Sequence, residues 1–193
     1  MPTTAPTNRP SPADRLLDSA TTLFDREGIR AVGIDRLIAD ADVARASLYQ
    51  HFGSKDTLVV SYLRRADEKD RAGYERAVRG LDDRPLDRVR TVFRLAGAAA
   101  RRRDYRGCLY LNALTEFPDQ DSPVRAVVNA HRQWLLTELT TALTQAGARE
   151  PEQLATNLQM LYDGALVGSK ANRSATPIEQ AAALADQLIA AAG

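Results

Sequence analysis

The chain has 193 residues, enough to bury a substantial core in one large domain or two small ones. Its formal net charge of only +1 excludes a polycationic nucleic-acid coat, so any DNA contact must use basic groups concentrated locally. The single cysteine, Cys108, excludes an intrachain disulfide and a thiolate metal cluster, and no apolar run has the length of a transmembrane helix. We therefore expect a cytoplasmic protein without a metal, a cofactor or a membrane partner.

The first ten residues, which are rich in Thr and Pro, are predicted to be a flexible arm. They lack the apolar stretch of a signal peptide. Arg9 is the only charged side chain of this arm. Contact of Arg9 with a DNA minor groove is one interpretation, and a solvated tail is the favoured one.

The first helix is predicted from the residues at its two ends. Ser11 provides an N-cap, Pro12 the first helical position and Asp14 an acid in the first turn. Gly28 is placed to end the helix in the left-handed conformation. Between these ends, apolar residues follow one helical face: Leu16, Ala20, Leu23 and Phe24.

Two short helices separated by a tight turn follow, from about Ile34 to Ala41 and from about Arg45 to Phe52. In the second of them, Leu48 and Phe52 form a narrow apolar stripe that faces inward. The opposite side carries small, hydroxyl, phenolic and amide groups: Ala46, Ser47, Tyr49 and Gln50. Such a helix is typical of one that presents its outer face to a DNA groove, so this stretch is predicted to be a helix-turn-helix.

A fourth helix is predicted to begin after Ser54, which can act as its N-cap, and to continue toward Gly80. Helical apolar periodicity and prolines near a first helical position predict five more helices, which lie after Pro85, around Cys108 to Phe117, and after Pro123, Pro151 and Pro177. Thr176 and Glu179 have the spacing of a capping box. Because no stretch alternates as a strand does, the predicted fold class is all-α with about nine helices.

The segment from about Asp14 to Leu58 resembles the DNA-binding domain of the TetR family of bacterial transcriptional regulators. The positions that match the family pattern include Ala20, Leu23, Phe24, Gly28, Ile34, Leu37, Ala41, Val43, Leu48, Tyr49, His51, Phe52, Ser54 and Lys55. Beyond residue 58 the resemblance is mainly architectural. It implies an N-terminal three-helix helix-turn-helix DNA-binding domain over residues 11–54, followed by a helical ligand-binding and dimerisation domain over residues 55–193.

The chain departs from the family pattern at two positions. Asp42 stands in the helix-turn-helix turn where the family usually has Gly, and we expect the turn to persist because Asp tolerates left-handed backbone better than most residues. Gly33 stands where a Ser or Thr commonly caps the second helix and contacts phosphate. Gly still caps acceptably but brings no side chain to the phosphate.

The resemblance implies a role in DNA contact for seven residues. Those expected at base edges are Arg45, Ala46, Ser47 and Gln50, and those expected at phosphates are Tyr49, His51 and Lys55. The chemistry agrees, since an Arg fork suits guanine, a hydroxyl or methyl group suits thymine, and Gln can pair with adenine. The alternative interpretation is the solvated face of a small helical domain.

The later helices carry a mixture of aromatic and polar side chains that suits a small-molecule effector: Phe93, Cys108, Asn112, Glu116, His131, Trp134 and Tyr162. A ligand pocket in a helical domain needs apolar walls and a few polar groups. Each residue could instead serve core packing or a surface contact. For Cys108, a small buried hydrophobe is favoured over a redox or electrophile sensor.

A dimer interface is predicted on the last two helices. Gly164, Ala165 and Gly168 give the eighth helix a smooth stripe beside Leu161, which lets another helix approach closely. The ninth helix offers Leu184 and Leu188. In the family these two helices usually form a four-helix bundle in the dimer, and packing within one chain is the alternative.

The function predicted from the sequence is a ligand-responsive, homodimeric transcriptional regulator, with a repressor favoured over an activator. It would bind a palindromic double-stranded operator and be released by a small-molecule effector. A helical enzyme is the first alternative, although His51 and His131 are the only histidines and neither has a partner at catalytic spacing in the sequence. A helical protein-interaction module without DNA binding is the second.

Overall fold

The structure, a computed structural model, describes residues 10–102 and 105–192. Arg9 and the rest of the predicted arm up to residue 9 lie outside the described residues. Within the described ranges the chain forms helices and no strand, which confirms the all-α fold class. The helices are α1 (Pro12–Glu27), α2 (Ile34–Asp40), α3 (Arg45–Phe52), α4 (Lys55–Val78), α5 (Pro85–Ala100), α6 (Leu109–Glu116), α7 (Pro123–Gln145), α8 (Pro151–Asn172) and α9 (Thr176–Ala191).

The chain divides into two compact units, one that ends at Leu63 and one that begins at Arg64. The boundary falls inside α4, so the part of this helix up to Leu63 belongs to one unit and the longer part from Arg64 belongs to the other. The domain boundary expected at residue 54 stays a prediction. We call the two parts the first unit and the second unit.

The first unit is built around a small apolar core to which α1, α2, α3 and the start of α4 all contribute. Its fully buried side chains include Leu16, Leu37, Leu48 and Leu58. Near the end of α1, the ring of Phe24 meets Tyr62 edge-on, with ring centroids 5.4 Å apart. These contacts hold three short helices that have too little apolar surface to be stable separately.

The turns of the first unit depend on unusual backbone conformations. Gly28 ends α1 with a positive φ of 92°, as expected, but its ψ of 156° is extended rather than left-handed helical, so that detail of the prediction is wrong. This region of φ and ψ is open essentially to Gly alone. Asp42 has a φ of 51°, which confirms that Asp adopts the left-handed turn in place of Gly. The side chain of Asp42 also forms an ion pair with Arg15 of α1, with 3.6 Å between Asp42 Oδ2 and Arg15 Nη1.

The core of the second unit is formed mainly by α5, α7, α8 and α9. Its largest fully buried side chains include Leu139, Leu143, Leu158 and Ile178. On the surface, Arg90 Nε lies 2.8 Å from Asp186 Oδ1 and ties α5 to α9. Both α8 and α9 therefore pack against other helices of their own chain.

The predicted capping box at the start of α9 is wrong. The N-cap position belongs to Ala175, and Thr176 is the first helical residue. The reason is a competing local bond, because the backbone N–H of Thr176 donates to Ser174 Oγ at 3.1 Å. The start of α1 is as expected, with the backbone N–H of Asp14 donating to Ser11 Oγ at 3.1 Å.

Two other residues beside helix ends have left-handed backbone without being Gly. Glu150 precedes α8 with a φ of 49°, and Arg173 follows it with the same value. Left-handed backbone costs roughly 1–2 kcal/mol for an ordinary residue. The two ends of α8 are thus held in place by the surrounding structure rather than by local preference.

Candidate DNA interface and effector site

The outer face of α3 is exposed and has no apolar partner in the first unit. Leu48 is the one residue of this helix that is fully buried. On the other side Ala46, Gln50 and His51 are exposed, and 46% of Tyr49 is accessible. Ser47 is half-buried. The structure therefore brings these five residues together on or beside one accessible surface, and their contact with DNA stays a prediction.

Arg45, the first residue of α3, has a partner that sequence reasoning missed. Its Nη2 donates to Oδ1 of Asp35 in the first turn of α2. The sequence contains no local signal for this pair, because Asp35 lies ten positions before Arg45, at the end of α2 that is away from the turn. Arg45 is thus oriented within the protein before any DNA arrives.

Lys55 is also engaged within the first unit. Its Nζ donates to the backbone carbonyl of Ile29 at 2.7 Å and lies 5.9 Å from the centre of the Phe24 ring. It therefore anchors the start of α4 to the chain that leaves α1. A phosphate that binds Lys55 would have to share its ammonium group with the Ile29 carbonyl.

The first turns of α2 and α3 leave their backbone N–H groups without side-chain caps. Gly33 is the N-cap of α2 and Ala44 the N-cap of α3, and neither makes a side-chain capping bond. Four N–H groups at a helix start have no partner within the helix. Such groups suit phosphate oxygens, in keeping with a DNA-facing role for these two ends.

In the second unit, two of the predicted effector residues belong to a polar and aromatic group that we call the α4–α7 cluster. It comprises Asp67, Asp70 and Arg71 of α4, Tyr110 of α6, and His131 and Trp134 of α7. His131 Nδ1 lies 2.8 Å from Asp67 Oδ1, and its ring stacks on Tyr110 with centroids 3.7 Å apart. Tyr110 in turn donates its hydroxyl to Asp70 Oδ2 at 2.8 Å.

Arg71 completes the cluster by binding both Asp67 and Trp134. Its Nε donates to Asp67 at 2.9 Å, and its guanidinium lies 5.0 Å from the centre of the Trp134 ring. Burial lowers the pKa of His131, and the Asp67 carboxylate opposes this effect. Desolvation raises the pKa of Asp70. Sequence reasoning missed the α4 residues, because their partners on α6 and α7 are far away along the chain.

Phe93, Cys108 and Tyr162 lie on the core side of the second unit. The rings of Phe93 and Tyr162 meet edge-on with centroids 5.6 Å apart. Burial raises the pKa of the Cys108 thiol, against hydrogen bonds from the backbone N–H groups of Leu111 and Tyr110. A thiol with a raised pKa keeps its proton, which supports the small-hydrophobe interpretation of Cys108.

Asn112 and Glu116 are separate from this core group. Asn112 Nδ2 donates to the carbonyl of Arg106 at 3.1 Å, and its Oδ1 accepts from Lys170 Nζ at 2.6 Å. Glu116 is half-buried at the end of α6. The structure thus gives Asn112 a role in joining α6 to α8, beside any role in ligand contact.

The predicted dimer residues divide by exposure. Gly164 and Leu184 are exposed, and half-buried positions are Leu161, Gly168 and Leu188. Ala165 is buried in the core of its own chain. A Cβ added to Gly168 would lie 3.2 Å from Pro177 Cβ, so this Gly serves contact with α9.

Two large apolar residues that sequence reasoning missed extend the exposed part of α8. Met160 is 61% exposed and Val167 57% exposed. With Gly164 they follow a spacing of four and three residues, which places them on one helical face. We call Met160, Gly164 and Val167 the α8 stripe.

The described residues offer neither a membrane-spanning helix nor a metal site. No helix among them is long and apolar enough to cross a membrane. Among the same residues, no group of three or more His, Cys, Asp or Glu side chains is arranged to hold a metal ion.

Comparison with known proteins gives matches along most of the chain. Residues 16–62 match the model of bacterial regulatory proteins of the tetR family, and residues 85–185 match that of a tetracyclin repressor-like C-terminal domain. The curated HTH-type transcriptional repressor NemR of Escherichia coli (strain K12) is 25% identical over 189 residues, which cover 92% of this chain and 93% of NemR.

Solved structures give a similar result. The crystal structure of a TetR-family transcriptional regulator from Streptomyces coelicolor is 38% identical, with a TM-score of 0.87 over 94% of this chain and 96% of that chain. Reduced Escherichia coli NemR, at 24% identity, shares the fold with a TM-score of 0.78 over 92% of this chain and 97% of its own. The matched families and relatives are transcriptional regulators rather than enzymes.

Proposed function

The chain belongs to the TetR family of bacterial transcriptional regulators, and from this premise we propose that it is a cytoplasmic repressor released from its operator by a small molecule. DNA binding in transcription follows from the family itself. The repressor role, the homodimer and the effector are the added parts of the proposal. The observation that carries it is the exposed polar face of α3, held to the first unit by the single fully buried side chain of Leu48.

In the proposed complex, α3 enters the major groove of DNA. Arg45, Ala46, Ser47 and Gln50 meet base edges, while Tyr49, His51 and Lys55 meet phosphates. A homodimer would place two copies of α3 in successive major grooves of a palindromic operator, about 34–36 Å apart if the half-sites lie one turn apart. The exposure of the α3 face and the uncapped starts of α2 and α3 support this arrangement.

The first experiment is a mobility-shift assay on the DNA that flanks the gene of this protein. We expect tight binding to a fragment with an inverted repeat and weak binding to a scrambled fragment of the same composition. Gln50→Ala should weaken discrimination at one base pair by about 1–3 kcal/mol. Gln133→Ala, which alters an exposed glutamine of α7, is the matched control. Equal binding to both fragments by the parent protein would contradict the proposal.

The proposed dimer uses the α8 stripe together with Leu184 and Leu188 of α9. Its support is the exposure of three large apolar side chains on two adjacent helices: Met160, Val167 and Leu184. Exposed apolar surface of this kind marks interaction sites when it is contiguous. Gly164 stands in the middle of the stripe and would let a second helix approach closely.

Gly164→Leu tests the dimer, because a Cβ at this position meets nothing within 4 Å in its own chain. The variant chain should fold as the parent does, while a partner helix would be pushed away. Analytical ultracentrifugation should show a dimer for the parent and monomer for Gly164→Leu. Gly73→Leu is the matched control, since the nearest atom to its Cβ is the end of the flexible Arg76 side chain at 3.9 Å. A monomeric parent at micromolar concentration contradicts this part of the proposal.

The proposed effector is a small, mostly apolar molecule that binds among α5, α6, α7 and α8. Phe93, Trp134 and Tyr162 would supply its walls, and Cys108, Asn112, Glu116 and His131 its polar contacts. His131 and Trp134 also bond to α4 through Asp67 and Arg71. An effector that takes over either residue would compete with these bonds and so change how α4 is held.

Fluorescence of Trp134, the only tryptophan, tests the effector site. Small aromatic compounds should be screened for a change in this fluorescence, and each one that binds should then be added to the mobility-shift assay. We expect a true effector to weaken operator binding, and the operator to weaken effector binding by the same factor. Binding that leaves operator affinity unchanged would contradict release by that compound.

A further inference from the structure

We propose that Asp35 is a positioning residue for base recognition: it holds the guanidinium of Arg45 in one orientation, aligned in advance with a guanine edge. This proposal rests on the proposed function, since it takes α3 as the helix that enters the major groove. Asp35 would act through Arg45 and would not itself touch a base. Its effect would be on the choice of DNA sequence.

The two residues join the beginnings of two helices. Asp35 lies in the first turn of α2 and Arg45 is the first residue of α3, and Arg45 Nη2 donates to Asp35 Oδ1. Both side chains are largely accessible, at 82% for Asp35 and 52% for Arg45. Water screens an ion pair this exposed, so its contribution to folding is small. Its remaining physical effect is on the direction of the guanidinium.

That direction matters for recognition of guanine. A guanidinium carries five N–H donors in one plane, and a carboxylate bound at one nitrogen leaves donors at the other two. Two such donors match the O6 and N7 acceptors that guanine presents in the major groove. A long side chain fixed before binding loses less conformational freedom when the DNA arrives. Asp35 therefore favours only those sequences that place guanine opposite Arg45.

The same carboxylate has a cost on every DNA sequence. A negative charge on the proposed DNA-facing side repels phosphates wherever the protein lands. On non-specific DNA, where Arg45 finds no guanine, nothing offsets this repulsion. The proposal therefore predicts opposite effects of Asp35 on the two kinds of DNA, which a purely structural ion pair does not.

The test compares an operator duplex, recovered by selection from random-sequence DNA, with a scrambled duplex of equal length and composition. For Asp35→Ala we expect higher affinity for the scrambled duplex and a ratio of operator to scrambled affinity that falls about tenfold. Arg45→Ala should lower the ratio similarly, and the double variant should be no worse than Arg45→Ala alone. Asp56→Ala, which removes another exposed negative charge from the first unit, should change both affinities equally and leave the ratio unchanged.

The outcomes separate this proposal from the one on which it rests. If Asp35→Ala changes both affinities by the same factor, the positioning role is overturned and DNA recognition by α3 stands. A parent protein that shows no preference for any sequence overturns both. Asp35→Ala and the isosteric Asp35→Asn both remove a carboxylate from the first turn of α2, so their melting temperatures should fall slightly and by similar amounts. Loss of discrimination that tracks a larger fall of the melting temperature in both variants would show a structural role and overturn the proposal.

Discussion

In the first unit, the polar side chains of α3 point away from the core, whereas in the second unit the polar side chains of α4, α6 and α7 bond to one another. Tyr49, Gln50 and His51 are exposed. In contrast, His131 and Asp67 form a pair whose side chains are only 14% and 16% exposed. The α3 residues were predicted to bind DNA and His131 to bind an effector, but the α3 face is open to a partner whereas His131 already has a partner within the chain.

The contrast bears on how strongly a residue type implies a function. A polar residue on a helix that contributes one buried side chain has no evident structural use, so an outside partner is the simplest explanation. A polar residue inside a helical core needs partners to be stable, and those partners account for its presence. Effector contacts in the second unit would therefore have to compete with bonds that exist in the free protein.

The largest expected effect sharpens the description of α3 as a helix with a single anchor. Leu48→Ala should lower the free energy of unfolding of the first unit by about 2–5 kcal/mol, because it empties the one fully buried position of α3. Hydrogen exchange should accelerate in α1, α2 and α3. Leu158→Ala, at a fully buried leucine of the second unit, is the control and should accelerate exchange in α7 and α8 instead. Unchanged exchange in α1 and α2 would contradict the assigned anchor.

The next effect concerns the α4–α7 cluster. Asp67→Asn removes the charge that faces both Arg71 and His131, and should cost about 1–3 kcal/mol in urea unfolding. The matched control is Asp87→Asn, which removes the carboxylate that accepts from Arg90 at a more exposed site. We expect the control to cost less than about 0.5 kcal/mol. Equal costs would mean that the cluster is no more than a surface network.

A smaller effect follows from the lowered pKa of His131. Because the folded pKa lies below the ordinary value of about 6.5, the unfolded chain takes up this proton first as the pH falls. The stability contributed by neutral His131 is complete above that ordinary value and is lost as the pH falls through the folded pKa. Melting temperatures across this window should decline less for His131→Gln than for the parent.

His51→Gln provides the control for that measurement, since His51 is exposed on α3 and lies outside the cluster. Its pH profile should keep the slope of the parent. Desolvation raises the pKa of Asp70, so its ionisation opposes stability as the pH rises. The charge of His131 counteracts this shift, so His131→Gln also changes the contribution of Asp70 to the pH profile. A slope that survives in His131→Gln would assign the pH dependence to another group.

The smallest expected effect on stability belongs to the exposed face of α3. Tyr49→Ala should change the free energy of unfolding by less than about 0.5 kcal/mol and yet weaken operator binding about two- to tenfold. Lys55→Ala should lower both, since it removes the bond to the Ile29 carbonyl as well as a phosphate contact. Denaturation and mobility-shift measurements on both variants separate the two roles. Equal losses of folding stability in Tyr49→Ala and Lys55→Ala would contradict the expectation that only Lys55 also has a structural role.

Local features of the fold were predictable because they depend on neighbours in sequence. Ser11 and Pro12 start α1, Asp42 takes the left-handed turn, and prolines start the later helices as expected. The capping box at Thr176 failed for a local reason as well, since Ser174 competes for the same N–H group. The DNA-contact and effector residues stay predictions.

Contacts between distant residues could not be predicted in the same way. His131 and Asp67 are 64 positions apart, and Lys55 reaches a carbonyl 26 positions earlier. Helical periodicity places each of these residues on a face of its own helix, but does not say which other face it meets. The exposed Met160 and Val167 were missed because large apolar residues are by default assigned to the core.

The left-handed residues at the two ends of α8 are positions where a substitution could raise the stability of the folded chain. Glu150 and Arg173 both have a φ of 49°. Replacing either with Gly would remove roughly 1–2 kcal/mol of backbone strain, less about 0.5–1 kcal/mol for the greater freedom of Gly in the unfolded chain. Both positions lie outside α3 and the α4–α7 cluster. These substitutions would thus stabilise the chain for use in synthetic gene circuits without altering the residues that would read DNA or sense a compound.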